Sequence, residues 1–146
     1  KKNNRVFYLK DSLSLVSYQV IMIIKEIAKV RKIPICRICI HKNDNEIIHE
    51  MIMIHSVKTS VGPLRQKKQS ISYHIINGKL KLSQCDRKGK ILNSYILDNN
   101  HLDNTQKYIS IRMKANLFRK VQSLSDDTVF LEIANGPFKD KDTEWL

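Results

Sequence analysis

The chain has 146 residues, of which 42% are hydrophobic, so it can form one domain with a buried core. Lys and Arg number 26 against 14 Asp and Glu, and the net charge of +12 favours anionic partners. Nucleic acid is a poor candidate, because the aromatic residues that would stack on bases are not interleaved with the basic ones. No uninterrupted apolar run approaches the ~20 residues that cross a bilayer, so we expect no membrane span.

The three cysteines predict reduced thiols. Cys36 and Cys39 form a C-x-x-C pair inside a β-like run, and Cys85 stands alone. A zinc site needs four ligands, and a redox pair needs a helix N-terminus to lower the thiol pKa, so we expect a structural role for these residues. Residues 1–10 are polar and contain no secretory signal, which favours a cytoplasmic location.

Residues 1–34 predict a polar lead-in followed by an amphipathic helix. Residues 1–10 form the lead-in, and either Asp11 or Ser12 is a suitable N-cap. Apolar side chains then recur every three or four positions, at Leu13, Val16, Val20, Ile23, Ile24 and Ile27. The segment 31–34 ends in proline and should end the helix. We expect this helix to pack on the rest of the protein or on a partner subunit.

From residue 35 onward the apolar residues alternate with a period of two, which predicts β-strands. The expected strands are 35–41, 46–55, 71–76, 79–85, 91–97, 107–113, 117–123 and 127–134. Residues 42–45 should form the first hairpin turn, Asn77-Gly78 predicts a type I′ hairpin, and 97–106 is a longer loop. Short strands at this spacing are typical of a β-sandwich or β-barrel such as a jelly roll.

The second predicted strand separates two sets of side chains. One face carries His49, Met51, Met53 and His55, and the other carries Ile48, Glu50, Ile52 and Ile54. His49-Glu50 does not begin a metalloprotease motif, because Met53 stands where the second histidine is required and the segment is not helical.

Several segments resemble a known family. Residues 35–41, 49–54, 63–78, 123–126 and 130–145 are similar to the WbuC-type cupins, and the resemblance extends over residues 28–146. It implies an all-β fold, the cupin double-stranded β-helix or jelly-roll barrel, formed by residues 35–146 and preceded by an N-terminal α-helix. Proteins of this type are associated with bacterial O-antigen and surface-polysaccharide gene clusters. The resemblance therefore implies a role in lipopolysaccharide or other cell-surface polysaccharide biosynthesis.

The resemblance also locates the four metal-ligand positions of a cupin. With Gly78 on the glycine that closes the first motif, these positions hold Leu64, Gln66, Ile71 and, on the second motif, Arg119. Leucine and isoleucine donate nothing to a metal, a glutamine amide is a weak donor, and arginine repels a cation. We therefore expect a degenerate metal site with no bound metal and no other cofactor.

Arg119 is the main candidate for a ligand-binding residue. A guanidinium inside the barrel would hold a phosphate or a sugar carboxylate through bidentate hydrogen bonds. We expect Gln66 and Tyr73 to assist from inside the barrel, and Arg112 and Lys114 from the same edge. The predicted partner is thus an anionic sugar or sugar nucleotide.

Two other positions for Arg119 stay open at this stage. A buried arginine is costly without a counter-charge, so it would instead pair with Glu132 or Glu50 in a closed barrel. It would otherwise face water at the mouth of the barrel.

Three functions are compatible with the sequence, which leaves open whether the protein is an enzyme. The first is a sugar-binding or accessory protein of polysaccharide biosynthesis. The second is a metal-independent sugar-nucleotide isomerase or epimerase with Tyr73 as acid and His55 as base. The third is a non-catalytic dimerisation module with a filled pocket. Outward apolar residues beside His74 suit a homodimer interface.

Overall fold

The computed structural model describes residues 4–99 and 108–146. Within these ranges the chain forms eleven β-strands and one α-helix. The strands are β1 (Val6–Tyr8), β2 (Ile35–Cys39), β3 (Ile48–Ser56), β4 (Ser60–Gln66), β5 (Ile71–Asn77), β6 (Lys79–Cys85), β7 (Ile91–Asp98), β8 (Ser110–Met113), β9 (Phe118–Ser123), β10 (Asp127–Asn135) and β11 (Thr143–Trp145). The helix α1 spans Tyr18–Val30.

The strands form two sheets. Sheet A has six strands in the order β1-β2-β3-β10-β5-β8, and sheet B has five in the order β11-β4-β9-β6-β7. The pairing is antiparallel except between β1 and β2, which run parallel. The predicted type I′ hairpin at Asn77-Gly78 is wrong. These residues join β5 of sheet A to β6 of sheet B, so the two flanking strands do not pair with each other, although Gly78 has a positive φ of 81°.

The inner faces of the two sheets enclose a common core. Sheet A contributes Ile71, Tyr73, Met113, Phe130 and Ala134, and sheet B contributes Leu80, Leu82, Leu97 and Val121. Because alternate residues of a strand point to opposite faces, these residues occupy every second position of their strands. The result is the two-layer all-β arrangement that the period of two predicts.

Helix α1 covers the outer face of sheet A. Ile21, Ile24 and Ala28 are its buried residues, and they pack against outward side chains of β2, β3 and β10. The Ser17 side chain caps the helix by accepting a hydrogen bond from the backbone N–H of Val20 at 3.3 Å. In the part of the chain that the structure describes, no helix is long and apolar enough to span a membrane.

The predicted start of the helix at Asp11 or Ser12 is wrong. The N-cap is Ser17, five or six residues later, and the helix begins at Tyr18, because the Ser17 hydroxyl accepts a hydrogen bond from the backbone N–H of Val20. Leu13 continues the helical period in sequence, but its side chain is 74% exposed and does not belong to the packed stripe.

Three further expectations about local structure need correction. The lead-in is not wholly irregular, since Val6–Tyr8 adds a parallel strand at the edge of β2. The first hairpin connection is longer than 42–45, because β2 ends at Cys39 and β3 begins at Ile48. The strand predicted from 107 begins at Ser110, and most of the predicted loop 97–106 lies outside the described residues.

The three cysteines match the structural role expected of them. Cys36, Cys39 and Cys85 are buried and free. Burial raises the pKa of each thiol above its ordinary value, to about 11 for Cys39. The thiols therefore stay protonated at neutral pH and are poor nucleophiles.

Candidate functional site

A cavity of about 220 Å³ opens between the inner faces of the two sheets. Apolar side chains from both sheets form most of its wall. Its polar lining residues are His55, Gln66, Tyr73, Arg119, Glu132 and Thr143. Strand β11 forms one wall at the C-terminal end of the chain, where Trp145 lines the cavity and remains 62% exposed. We call this space the Arg119 cavity.

Arg119 is the buried cation of this cavity, with only 5% of its surface exposed. Its Nε donates to the Tyr73 hydroxyl at 2.6 Å, and its Nη2 donates to Gln66 Oε1 at 3.0 Å. A guanidinium has five N–H donors, so three have no partner among the described residues. The structure thus brings Arg119, Tyr73 and Gln66 together, and leaves hydrogen-bonding capacity on the arginine.

The local backbone fixes the position of Arg119. Strand β4 pairs with β9 so that Leu64 lies opposite Arg119, after a register shift between Val61 and Leu64. Gly62 sits in this bulge with a φ of 97°, and a Cβ there would collide with the carbonyl oxygen of Arg119. Only glycine allows β4 to approach β9 this closely in that conformation.

Glu132 is the nearest candidate for a counter-charge. It lies opposite Tyr73 in the pairing of β10 with β5 and lines the same cavity. Burial raises its pKa, and the positive charges of Arg119 and Arg37 oppose that rise. Among the described residues, however, no ion pair joins Arg119 to Glu132 or to Glu50. The closed barrel with an internal ion pair is therefore not the arrangement that the structure contains.

The two candidate catalytic residues line the same cavity with shifted pKa values. Burial raises the pKa of Tyr73 well above its ordinary range, and the nearby Glu132 adds to the rise. Burial alone lowers the pKa of His55 to about 4. His55 is 2% exposed, and neither of its ring nitrogens has a hydrogen-bond partner among the described residues. At neutral pH both side chains are uncharged.

Arg112 and Lys114 lie outside the cavity. Strand β8 alternates, with Ile111 and Met113 directed to the core, so Arg112 is exposed on the opposite face. Lys114 follows the strand and is also exposed. The structure does not bring these two residues to Arg119.

The donor set at the four metal-equivalent positions does not fit a metal ion. Leu64, Gln66 and Arg119 line the cavity, whereas Ile71 is buried in the core between the sheets. The amide oxygen of Gln66 accepts a hydrogen bond from Arg119, and a guanidinium beside it would repel a cation. Within the described residues, no group of three or more His, Cys, Asp or Glu side chains could hold a metal ion.

Some residues of the cavity had no clear signal in the sequence. Thr143 lines it through β11, and its hydroxyl oxygen is buried without a partner among the described residues. Phe138 lines it from the segment between β10 and β11. The sequence predicts that this segment is a C-terminal arm that caps the barrel, with Phe138 and Trp145 as structural anchors, but it does not predict strand β11. The pairing of β11 with β4 is what places it against Arg119.

Solved structures with a similar fold come from several organisms. The capsular polysaccharide assembling protein CapF from Staphylococcus aureus superposes with a TM-score of 0.59 at 15% identity, over 77% of this chain and 29% of CapF. The cupin domain of Cnp3 from Schizosaccharomyces pombe superposes with a TM-score of 0.52 at 8% identity, over 69% of this chain and 64% of that domain. The chain has the cupin fold. The all-β prediction with an N-terminal helix is thereby confirmed.

A third cupin-like neighbour is more similar in length. KdgF from Halomonas sp. superposes with a TM-score of 0.53 at 9% identity, over 74% of this chain and 83% of KdgF. By contrast, the chain spans less than a third of CapF. No protein-family model matches the sequence, and no curated protein does. Identities this low show the fold alone.

Proposed function

We propose that this cupin binds an anionic sugar or sugar nucleotide without a metal, and that it serves cell-surface polysaccharide biosynthesis as a binding or accessory protein. The observation that carries the proposal is the Arg119 guanidinium. It is 5% exposed, lines an open cavity, and has no ion-pair partner among the described residues.

An unpaired buried cation favours an anionic ligand for a physical reason. Burying a charge costs several kcal/mol unless an opposite charge and hydrogen bonds offset the lost hydration. Tyr73 and Gln66 supply two neutral acceptors to Arg119, and neither supplies a negative charge. A carboxylate or phosphate in the cavity would supply that charge and accept two parallel N–H bonds from the guanidinium.

The character of the cavity supports a small sugar as the carrier of this anion. A volume of about 220 Å³ lies just below the range typical of drug-sized ligands, and it suits a single sugar unit. Trp145 and Phe138 line the cavity and offer aromatic faces to the carbon side of a sugar ring. Thr143 and His55 add polar atoms that lack a partner among the described residues.

The polysaccharide setting rests on two indications. The sequence resembles WbuC-type cupins over most of its length, and CapF, whose fold is similar, is described as a capsular polysaccharide assembling protein. The identity of 15% shows the fold alone, so the assignment to a WbuC-type protein is part of the proposal.

A thermal-shift screen in EDTA tests the proposed function. The probes are glucuronate, galacturonate, glucose 1-phosphate, a nucleoside-diphosphate glucose, neutral glucose, and separately zinc and manganese ions without EDTA. We expect at least one charged sugar to stabilise the protein. A ligand at a hundred times its dissociation constant adds ~2.7 kcal/mol to the folded state. We expect no shift with glucose or with the metals.

Two variants make this screen specific. Arg119→Met should abolish the shift, whereas Arg112→Met, which removes an exposed arginine outside the cavity, should retain it. The proposal fails if none of the charged sugars shifts the unfolding temperature, or if the Arg119→Met protein keeps the full response.

A metal-independent isomerase or epimerase is a second candidate, because Tyr73 and His55 line the same cavity. Their pKa values favour binding over turnover. A general base works best with a pKa near the operating pH, and His55 has a pKa of about 4. Conversion of a nucleotide sugar, followed by proton NMR and lost in His55→Gln, would establish the enzyme. The open cavity opposes the third function, a module with a filled pocket.

A further inference from the structure

A second cavity of about 240 Å³ adjoins the Arg119 cavity. It lies on the inner face of sheet A, where β2, β3 and β10 run side by side. Strand β1 closes one side through Tyr8, and the segment after β10 closes another through Phe138 and Asp140. We call this space the polar chamber, because charged or hydrogen-bonding groups form most of its wall.

The polar chamber and the Arg119 cavity share three wall residues, Gln66, Glu132 and Phe138. Gln66 accepts a hydrogen bond from Arg119 and also lines the chamber. Such a shared wall means that a ligand group at Arg119 lies next to the chamber. One molecule longer than a single sugar ring can therefore occupy both spaces.

Two stacked histidines line the chamber. His41 and His49 stack with ring centroids 4.3 Å apart and an interplanar angle of 13°. His41 Nδ1 lies 3.1 Å from both the backbone N–H and the backbone carbonyl oxygen of Glu50, so it accepts from the one or donates to the other according to its tautomer. Burial lowers the pKa of His41, which keeps the ring neutral at physiological pH.

Buried polar atoms around the chamber lack partners among the described residues. Gln69 is 5% exposed; its Nε2 donates to the Pro137 carbonyl at 3.1 Å, and its Oε1 is unpaired. Arg37 Nε and His49 Nε2 are likewise buried and unpaired. Leaving such atoms without hydrogen bonds destabilises the fold, and a ligand in the chamber that bonds to them would offset this cost.

The charges of the chamber distinguish it from the Arg119 cavity. Its acidic wall residues are Asp44, Glu132 and Asp140, and its one arginine is Arg37. Glu132 also lines the Arg119 cavity, but Asp44 and Asp140 line only the chamber and outnumber its arginine, so a second anionic group would be repelled. Hydroxyl groups fit instead, because each hydroxyl donates to a carboxylate or amide oxygen and accepts from an N–H group.

We propose that the polar chamber binds a neutral, hydroxyl-rich sugar ring covalently linked to the anionic unit held at Arg119. The ligand class is then an acidic disaccharide or a longer acidic glycan end, with the charged residue in the Arg119 cavity. This inference rests on the proposed function for the position of the charged unit. Recognition of the neutral ring depends on Arg37, Gln69 and the histidine pair.

Calorimetric titration in EDTA tests the chamber. The probes are glucuronate and galacturonate as acidic monosaccharides, and disaccharides in which each is joined to a neutral hexose in either order. The variants are Gln69→Met and Arg37→Met, which remove the polar ends of two chamber residues and keep side chains of similar length. Arg112→Met is the exposed control, and thermal unfolding establishes that each variant is folded.

We expect the best disaccharide to bind the wild-type protein at least tenfold more tightly than its acidic monosaccharide. Each chamber variant should lose about tenfold in disaccharide affinity and keep its monosaccharide affinity within twofold. Arg112→Met should change neither. The inference is overturned if the disaccharides bind no more tightly than the monosaccharides, or if the chamber variants weaken both ligands equally.

The same titrations separate the two proposals. Disaccharide binding that depends on Gln69 and Arg37 but survives Arg119→Met would uphold the chamber and refute the anion site at Arg119. Monosaccharide binding that depends on Arg119, without any gain from the second ring, would uphold the anion site and refute the chamber. Absence of binding by every probe would refute both.

Discussion

The two faces of sheet A differ in character: the outer face packs against helix α1, and the inner face lines the two cavities. On the outer face, Ile38, Ile52, Ile54 and Val129 pack under helix α1 in one hydrophobic cluster. On the inner face, the alternate positions of these strands hold Arg37, His55 and Glu132. One set of strands thus contributes to an apolar core on one side and to a polar cavity on the other.

The difference supports the proposal that the inner face binds a ligand. Apolar burial stabilises the fold by about 25 cal/mol per Å² of area removed from water. The apolar residues of the outer face contribute this stabilisation by packing against α1. The inner face contains His55, whose ring nitrogens are buried and unpaired, although an apolar residue would fit that alternation better. The proposed ligand binding would account for polar groups that weaken the fold at those positions.

The largest expected effect is on the outer face. Ile38 is 1% exposed, and Ile38→Ala should lower the free energy of unfolding by about 2–5 kcal/mol, because it removes buried methyl groups and leaves a cavity. Val30→Ala, at an 80% exposed position at the end of α1, is the matched control and should change it by less than about 0.5 kcal/mol. Urea unfolding measures both. A loss below about 1 kcal/mol for Ile38→Ala would contradict the burial of Ile38 in the core beneath α1.

The next effect is a pH dependence on the inner face. The pKa of His55 is about 4 in the folded protein, against an ordinary value of 6.5 in the unfolded chain. The unfolded chain therefore takes up the proton first as the pH falls. Stability is therefore complete above about pH 6.5 and is lost progressively towards pH 4, by up to about 3 kcal/mol. Urea unfolding at several pH values should show this slope in the wild-type protein and a shallower one in His55→Gln. Parallel slopes would show that His55 is not buried as described.

The smallest effect distinguishes a ligand site from an internal ion pair. Burial raises the pKa of Glu132, so the folded state holds this proton more tightly than the unfolded state, and stability falls as the pH rises through the carboxyl's range. Glu132→Gln should then raise the free energy of unfolding at neutral pH by about 1 kcal/mol. Loss of an ion pair with Arg119 would instead lower it by about 3–5 kcal/mol.

Alternation along the chain was sufficient to predict much of the fold. In β3 the predicted separation is confirmed, since Met53 and His55 line the Arg119 cavity and Ile52 and Ile54 pack under the helix. Strand β1 was missed because three residues carry too little periodicity and pair with β2, about thirty positions away. The helix start was missed because Leu13 continues the apolar period without being buried.

The site was predictable only in part. The resemblance to the cupin motifs predicted that Arg119, Gln66 and Tyr73 lie together inside the barrel. The hydrogen bonds among their side chains confirm that they are in contact. Arg112 was misplaced because being near in sequence does not determine which face of a strand a side chain takes. The polar chamber was not predictable, because it depends on the pairing of β1 with β2 and on the course of the chain after β10.

The most direct test of the account combines affinity and stability in one variant. Arg119→Met should be titrated with the acidic sugar that stabilises the wild-type protein, and its free energy of unfolding should be measured without ligand. We predict a loss of ~1.5–3 kcal/mol in binding, the value of a charge-assisted hydrogen bond, and a loss of no more than about 1–2 kcal/mol in folding. Unchanged affinity, or a folding loss of about 3–5 kcal/mol as for a broken buried ion pair, would contradict the anion site.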